Sequence, residues 1–236
     1  MKILVFNGSP KREKSDTLHI TRAFLDGMND VHQNDVEFIN VIDKRIGYCK
    51  GCFVCKQNGG ICDIDDDMPQ ILNGILESDM LIFSFPLYCY SFPAPLKALL
   101  DRTMPLSTLA MLKDGDHYCH PTTHDFSKTR FVMICGCGFP DAKHNFEAIT
   151  LQFHRMFPNN ALTVTVPESP MFNAQEAAPV TGPFLEIVRA AGREYASTDM
   201  LSPDTLAKLS SPMIPEELYA RICSGRQSEL QSVFYQ

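Results

Sequence analysis

Short, continuously apolar runs alternate along the chain with segments in which apolar residues recur at helical spacing. The apolar runs occupy 3–6, 80–85 and 131–135, an alternating run covers 36–42, and a fifth strand is predicted over 161–166. Runs of this length predict strands, and continuous apolarity predicts strands that are buried on both faces of a parallel sheet. Helical spacing predicts helices over 18–28, 68–76, 94–102, 143–157 and 184–197, with shorter helices in 203–234.

The alternation of strands and helices predicts a three-layer α/β fold, in which helices cover both faces of the sheet through right-handed crossovers. Five parallel strands fit the order 2-1-3-4-5. An irregular insertion is expected over 104–129, and a proline-rich crossing over 167–183. Since no repeat, low-complexity tract or long linker divides the chain, we expect one domain over 1–236, with its core in 1–166 and a helical C-terminal extension in 167–236.

In such sheets, ligands bind beyond the carboxyl ends of the strands, at the point where the strand order reverses. The loops that follow three of the predicted strands are 7–17, 86–93 and 136–142. We expect them to meet around one crevice. Their convergence indicates a site more strongly than any one of the three loops alone.

The first of these loops has the composition of an anion site. Gly8, Ser9 and Pro10 end the apolar run, basic residues follow, and the side chain at 15, 16 or 17 can cap the next helix. Helix N-terminal amides and hydroxyls together bind phosphate. Because neither GxGxxG nor GxxxxGK[ST] is present, the loop suits a single phosphate monoester, the alternative being an ordinary polar turn. The candidate phosphate-binding residues are Ser9, Lys11, Ser15, Asp16 and Thr17.

The other two loops have the composition of a site for a flat ring. Tyr88 and Tyr90 can contact a heteroaromatic face or edge, whereas Phe92 is expected in the core. Gly136 and Gly138 allow the backbone to approach a ring closely. Cys135 is expected to point into the core and Cys137 toward the cleft. A phosphate site beside a ring site fits FMN. The candidate ring-binding residues are Pro86, Leu87, Tyr88, Cys89 and Tyr90 on one side, and Cys137, Gly138 and Phe139 on the other.

Composition narrows the class of partner. The 236 residues carry a net charge of −7, with 44% hydrophobic and 21% charged residues. These values are ordinary for a globular protein, and the net charge argues against nucleic acid or an anionic membrane surface as the main partner. The sequence opens directly on an apolar strand and contains no apolar stretch of transmembrane length. We therefore expect a cytoplasmic protein without a membrane partner.

Nine cysteines are many for such a protein, and four of them are clustered. Cys49, Cys52, Cys55 and Cys62 have a compact spacing that can ligate one [4Fe–4S] cluster. Free thiols near the site, a zinc ion and a disulfide are the alternatives. A second group contains His117, Cys119, His120 and His124. It lacks a further CxxC pair, so a polar surface loop is the favoured interpretation.

Several segments resemble NAD(P)H-dependent FMN reductases and other flavodoxin-like oxidoreductases. The resemblance lies in the phosphate loop from Asn7 to Thr17 and in 86–88 followed by 95–102. The segment 49–62, closed by 66–68, resembles the cysteine loop of the iron–sulfur flavoprotein branch. The family pattern has Asn where Asp16 stands, and a carboxylate there would repel a phosphate unless it turned away to cap the helix. Residues beyond 167 match only loosely.

The resemblance implies a flavodoxin-like fold, bound FMN, reduction by NAD(P)H and a homodimer or dimer of dimers. The expected activity is hydride transfer from nicotinamide to FMN and onward to a quinone, nitro compound, free flavin or redox protein. No dedicated catalytic acid or base is required, because the cofactor carries the chemistry. Two alternatives are one-electron transfer through a [4Fe–4S] cluster at the cysteine loop, and a flavin-binding module without turnover.

Overall fold

A computed structural model describes residues 1–234, and the side chains of residues 1–225. Its main sheet contains five parallel strands in the order β2-β1-β3-β6-β7. The strands are β1 (Lys2–Asn7), β2 (Asp35–Asn40), β3 (Met80–Pro86), β6 (Arg130–Gly136) and β7 (Ala161–Val166). In the numbering of the predicted strands this is the order 2-1-3-4-5, so the predicted flavodoxin-like topology is confirmed.

Helices cover both faces of the sheet, as predicted. The helices are α1 (Asp16–Val31), α2 (Val54–Gln57), α3 (Met68–Glu77), α4 (Ala94–Asp101), α5 (Glu147–Met156), α6 (Ala178–Thr198), α7 (Pro203–Leu209) and α8 (Glu216–Phe234). Helices α1 and α6 bury Phe24 and Val188 on one face, against Val5 of β1. Helices α3, α4 and α5 bury apolar residues on the other face. The first helix of the C-terminal extension therefore shares a core with the sheet.

The expected irregular insertion contains a short antiparallel hairpin. Strand β4 (Leu112–Asp114) pairs with β5 (His117–Cys119), and Gly115 in the turn has a φ of 58°. All six strand residues are exposed, so no apolar alternation marked the strands. The dipeptide Asp114-Gly115 is nevertheless a typical hairpin turn signal.

Two helix boundaries differ from the prediction. Helix α5 begins at Glu147 rather than near 143. Helix α6 begins at Ala178, and the crossing before it contains two short 3-10 turns over 169–173 and 175–177. Proline is tolerated in a first helical turn, where the missing N–H has no intrahelical partner. Pro183 lies further inside α6, and the helix continues through it although one backbone hydrogen bond is lost.

Within the described part of the chain, no helix combines the length and the apolar character needed to cross a membrane.

Candidate functional site

Four loops meet at the carboxyl edge of the sheet, one more than the sequence predicted. They follow β1, β3, β6 and β7 and cover 8–15, 87–93, 137–146 and 167–177. Backbone hydrogen bonds join them: Leu87 N donates to Gly136 O at 2.7 Å, and Ser169 N donates to Cys137 O at 2.8 Å. Strand order reverses between β1 and β3, which is where ligands bind in sheets of this kind.

The loop after β1 and the first turn of α1 present three buried hydroxyl groups. Ser9, Ser15 and Thr17 are each at most 2% exposed, and the hydroxyls of Ser15 and Thr17 lie 2.8 Å apart. Asn7 orders this loop, because its Oδ1 accepts from Ser9 N at 3.1 Å and its Nδ2 donates to Arg12 O at 3.0 Å. Helix α1 begins here, and the first amides of a helix have no intrahelical partner. The donor set fits a phosphate group.

The Asp16 side chain does not cap helix α1, because both of its carboxylate oxygens contact other side chains. Its Oδ2 lies 2.6 Å from Nζ of Lys11, and its Oδ1 accepts from Nδ2 of Asn173 at 2.5 Å. Ser15 is the N-cap residue, and it makes no side-chain capping bond. The expectation that a side chain of residues 15–17 caps the helix is therefore wrong. The Asp16 carboxylate is instead neutralised by Lys11 of the same loop.

Two of the three basic residues of this loop are paired with carboxylates. Besides Lys11 with Asp16, Nε of Arg12 lies 2.5 Å from Oδ1 of Asp43. Arg12 also has a φ of 53°, in the left-handed region. Because these two charges are compensated within the protein, the loop binds an anion mainly through its hydroxyls and amides.

The loop after β3 is a tight turn that exposes two tyrosines. Tyr88 and Ser91 exchange backbone hydrogen bonds of 3.2 and 2.9 Å. The two residues between them, Cys89 and Tyr90, have φ values of 49° and 60°. Successive positive φ values in residues other than glycine are costly and are concentrated at functional sites. This turn therefore marks the loop as a candidate site on conformational grounds.

Aromatic side chains connect the loops after β3 and β6. The ring of Tyr90 stacks on that of Phe139, with centroids 6.1 Å apart and an interplanar angle of 12°. Tyr88, Tyr90 and Phe139 are 45%, 51% and 43% exposed. Phe92 is buried against Phe85, as predicted. The structure thus brings exposed aromatic surface from both predicted ring loops to the same edge.

The predicted orientation of Cys137 is wrong, because the structure buries its side chain. Cys137 is 3% exposed and belongs to the same core cluster as Cys135. Residues two apart in an extended chain point to the same face, and Cys137 N continues the sheet pairing by donating to Val166 O at 3.0 Å. Burial raises the pKa of Cys137 to about 11, so the thiol stays protonated at neutral pH.

The space beside Gly136, expected to admit a ligand, is occupied by other residues of the protein. A Cβ at Gly136 would lie 2.6 Å from Cβ of Ser169 and 2.9 Å from Cγ2 of Thr17. A larger residue there would separate β6 from the loops after β1 and β7. At Gly138, a Cβ would make only an ordinary 3.6 Å contact with Pro170. Close backbone approach to a ligand is therefore not what this structure requires of Gly136.

The loop after β7 supplies residues that the sequence did not point to. Nδ2 of Asn173 donates to the Asp16 carboxylate and to Lys14 O at 2.8 Å, which joins this loop to the first one. Ser169 packs against Gly136. The available signal was topological, since the loop follows a parallel strand at the carboxyl edge of the sheet.

Glu168 is a buried acid between the loop after β6 and the C-terminal segment. It is 0% exposed and has a φ of 55°. Its Oε2 accepts from Met213 N at 2.6 Å, whereas Oε1 has no hydrogen-bond partner within the described residues. Burial raises the pKa of Glu168, despite the backbone hydrogen bonds of Met213 and Ile214. The carboxyl group is therefore biased toward its neutral form.

The cysteine loop, residues 48–62, carries free thiols. Cys49 and Cys52 are exposed, and Cys55 and Cys62 are half-buried. Among the described residues, no three Cys, His, Asp or Glu side chains are placed to share a metal ion. In this arrangement the four thiols do not fit a cluster, and the group at 117–124 does not fit zinc. Cluster ligation by the cysteine loop stays a prediction.

Comparison with known proteins places the fold in a family. The family model described as flavodoxin-like fold matches residues 1–159. An iron–sulfur flavoprotein of Methanocaldococcus jannaschii is 37% identical over 108 residues, which is 45% of this chain and 53% of that protein. An iron–sulfur flavoprotein of Methanosarcina thermophila is 33% identical over 106 residues, 45% of this chain and 54% of that protein. The chain thus spans about half the length of these curated relatives.

A third curated relative and two solved structures are named as quinone oxidoreductases or as an azoreductase. An FMN-dependent NADH:quinone oxidoreductase of Shouchella clausii is 25% identical over 109 residues, 42% of this chain and 53% of that protein. An FMN-dependent NADH-azoreductase of Bacillus anthracis in complex with FMN has a TM-score of 0.60 at 17% identity, covering 83% of this chain and 100% of that one. An NAD(P)H:quinone oxidoreductase of Methanothermobacter marburgensis has a TM-score of 0.58 at 15% identity, covering 82% and 96%. At these identities the two structures show the fold alone.

Proposed function

The chain belongs to the flavodoxin-like family whose model matches residues 1–159, and from this premise we propose that it is an FMN-dependent NAD(P)H oxidoreductase. When bound, FMN would accept hydride from the nicotinamide and pass electrons to a quinone, nitro compound, free flavin or redox protein. One observation carries the proposal: three buried hydroxyls and three exposed aromatic rings lie at the same edge of the sheet, where its strand order reverses.

The chain's own residues would divide the binding between two ends of the crevice. Ser9, Ser15 and Thr17 would donate hydroxyl hydrogen bonds to the phosphate, together with the first amides of α1. Tyr88 and Tyr90 would contact the ring from the loop after β3, and the backbone of 137–139 from the loop after β6. The strained turn at 89–90 would fix the tyrosines before the cofactor arrives, which lowers the entropic cost of binding.

The protonated state of the Cys137 thiol favours chemistry carried out by the cofactor over chemistry carried out by a protein nucleophile. The Cys137 thiol, with its raised pKa, is not a thiolate at neutral pH. It is also covered by the core, so it cannot attack a substrate in the crevice. The protein would contribute binding, orientation and a controlled environment rather than a nucleophile.

The names of relatives support the same class. One curated relative is named an FMN-dependent NADH:quinone oxidoreductase, and one structural neighbour is an FMN-dependent NADH-azoreductase in complex with FMN. Neither determines the acceptor of this chain. We propose a small-molecule or redox-protein acceptor, and assembly as a homodimer or dimer of dimers. Exposed apolar side chains in the insertion, Met111 and Leu112, support an assembly surface.

A reduction assay under anaerobic conditions tests the proposal. The purified protein is incubated with excess FMN and desalted, and NADH or NADPH is then added. We expect retained flavin absorbance that bleaches with the nicotinamide and returns when a quinone is added. A sample that stays colourless after desalting would refute the flavin site. Retained flavin that no nicotinamide reduces would favour the binding module without turnover.

An iron–sulfur flavoprotein that transfers single electrons is the second candidate. The spacing of Cys49, Cys52, Cys55 and Cys62 supports it, and so do the names of two relatives. Ligation would require the cysteine loop to rearrange from the conformation described above. Anaerobically purified protein should then contain about four irons per chain, with an absorbance shoulder at about 400 nm that dithionite bleaches. Cys52→Ser should remove the iron and leave FMN binding unchanged; iron-free wild-type protein would exclude the cluster.

A further inference from the structure

A second cavity lies at the edge of the sheet opposite the candidate flavin site. Its volume is about 550 Å³, within the roughly 300–1,000 Å³ range of small-molecule sites. The start of β6, the turn 156–159 before β7 and the segment 103–107 after α4 line it. Since β6 and β7 are parallel, their starts lie at one edge, whereas the flavin loops follow strand ends at the other. The two sites are separate.

Four phenylalanine rings line this cavity in a continuous series of contacts. Phe131 stacks on Phe157 with centroids 4.3 Å apart and planes inclined by 15°. Phe126 lies 6.2 Å from Phe131, and Phe83 lies 5.4 Å from Phe157. All four belong to the lining. A further aromatic ring would gain stacked or edge-to-face contacts with this series, so the lining favours a flat aromatic ligand.

The side of the cavity formed by the insertion is fixed by hydrogen bonds within the insertion and to the start of β7. Thr123 N donates to Leu106 O at 2.9 Å, which joins the two arms of the insertion. Nδ2 of Asn160 donates to Ser127 O at 2.7 Å, which joins its end to the start of β7. The cavity is therefore formed before any ligand binds, as is usual for small-molecule sites.

Two hydroxyl groups of the lining already have hydrogen-bond partners within the protein. Oγ1 of Thr103 donates to Leu100 O at 2.8 Å, and Oγ1 of Thr122 donates to His124 O at 2.7 Å. The carboxylate of Asp125 also belongs to the lining and disfavours an anion. Apart from this exposed carboxylate, the lining offers a ligand mainly apolar contacts. These features point to an uncharged molecule.

We propose that this cavity is a second ligand-binding site of the chain, and that it takes an uncharged aromatic molecule. The site is built from the apolar core beneath the insertion and does not depend on the flavin chemistry proposed above. Its occupant would not contact the flavin, since the sheet separates the two edges. The proposal holds whether or not the chain oxidises a nicotinamide.

Fluorescence titration with N-phenyl-1-naphthylamine, an uncharged aromatic probe, tests the site in the FMN-saturated protein. We expect saturable enhancement with about one probe molecule per chain. Prior saturation with FMN should leave the titration unchanged, because the flavin occupies the other edge. Absence of saturable enhancement, or displacement of the probe by FMN, would overturn the proposal.

Two pairs of variants locate the probe. Thr103→Trp should fill the cavity and weaken the probe by about tenfold or more, equivalent to ~1.4 kcal/mol. Thr123→Trp, on an exposed residue outside the lining, should bind as the wild type does. Phe126→Ala should weaken the probe similarly, and Tyr118→Ala, an exposed ring of the same insertion, should not.

Thermal unfolding by circular dichroism shows whether each variant is folded. If Thr103→Trp does not fold, the Phe126→Ala and Tyr118→Ala pair decides the question. Equal affinities in Phe126→Ala and the wild type would place the probe elsewhere and refute the proposal. Equal losses in Phe126→Ala and Tyr118→Ala would likewise refute it, because the effect would not be specific to the cavity.

Discussion

The carboxylate of Asp66 and the guanidinium of Arg102 form an ion pair in which both side chains are only 2% exposed. Nη1 of Arg102 lies 2.6 Å from Oδ2 of Asp66 and also donates to Gly47 O at 2.7 Å. Gly47 N donates to the same carboxylate at 2.8 Å. The two segments that flank the cysteine loop are thus joined to each other and to the end of α4 through one buried pair.

Asp66→Asn should destabilise the protein strongly, because it leaves the buried Arg102 charge without a counter-ion. We expect the free energy of unfolding to fall by about 3 kcal/mol, measured by urea denaturation. The control is Asp101→Asn, which breaks the exposed pair between Lys97 and Asp101 and should cost about 0.5 kcal/mol or less. Equal losses in the two variants would show that the buried pair has no special role.

The stability lost in Asp66→Asn should depend on pH in a direction set by the pKa of Asp66. Burial raises the pKa of Asp66. The hydrogen bonds from Arg102 and from the backbone of Gly47 and Met68 lower it by more, so the net shift is downward from 3.8. The stabilisation is therefore complete above the ordinary value and is lost as pH falls through the lowered one. The difference between wild type and Asp66→Asn should shrink in acid.

Thr17→Asp tests the phosphate loop by charge. A carboxylate beside the hydroxyls of Ser9 and Ser15 would repel a phosphate, so we expect the variant to lose FMN during desalting. Thr17→Asn has nearly the same size without the charge and should retain more FMN. Flavin absorbance after gel filtration measures both. If Thr17→Asp binds FMN with unchanged affinity, the loop after β1 is not the phosphate site.

Local pattern was sufficient for the sheet and for the location of three of its loops. Continuous apolar runs such as 80–85 identify strands that are buried on both faces, and five predicted strands with intervening helices leave few topologies. The inward orientation of Cys137 was also available from the sequence, because a strand that buries Cys135 buries the residue two positions later. That error came from ignoring alternation.

Contacts between distant segments could not be predicted in this way. Asn173 meets Asp16 across 157 positions of the chain, and no local propensity encodes that distance. Ser169 and Gly136 likewise meet only after β6 and β7 have paired. The loop after β7 read as a connector because its role depends on the assembled sheet edge.

Asp16→Asn should strengthen FMN binding. The present carboxylate neutralises Lys11 and adds negative charge beside the phosphate loop, whereas an asparagine amide can still bond to Asn173. We expect the Kd for FMN to fall about fivefold, which is ~1 kcal/mol, as measured by quenching of flavin fluorescence. The control is Asp43→Asn, which frees Arg12 and should change the Kd less. Weaker binding by Asp16→Asn would mean that the ion pair positions Lys11 for the phosphate.

Glu168→Gln should change how stability depends on pH. Because burial raises the pKa of Glu168 above 4.5, the folded state holds its proton more tightly than the unfolded state does. Its contribution is therefore fully present below the ordinary value and is lost as pH rises through the raised one. Glutamine keeps an acceptor for Met213 N and cannot ionise. We expect the variant to gain melting temperature relative to wild type between acid and neutral pH; a constant difference would contradict this.

Cys89→Gly should stabilise the protein, although it removes a side chain. Cys89 has a φ of 49°, a conformation that costs a residue with a Cβ roughly 1–2 kcal/mol and glycine almost nothing. After the extra entropy of an unfolded glycine, we expect a net gain of about 0.5–1 kcal/mol in the free energy of unfolding. The same change at Cys119, an exposed residue of β5 without a positive φ, should destabilise by about 0.5 kcal/mol. Urea denaturation of both variants measures these opposite signs. A loss of stability in Cys89→Gly would show that the thiol makes contacts worth more than the relief of backbone strain.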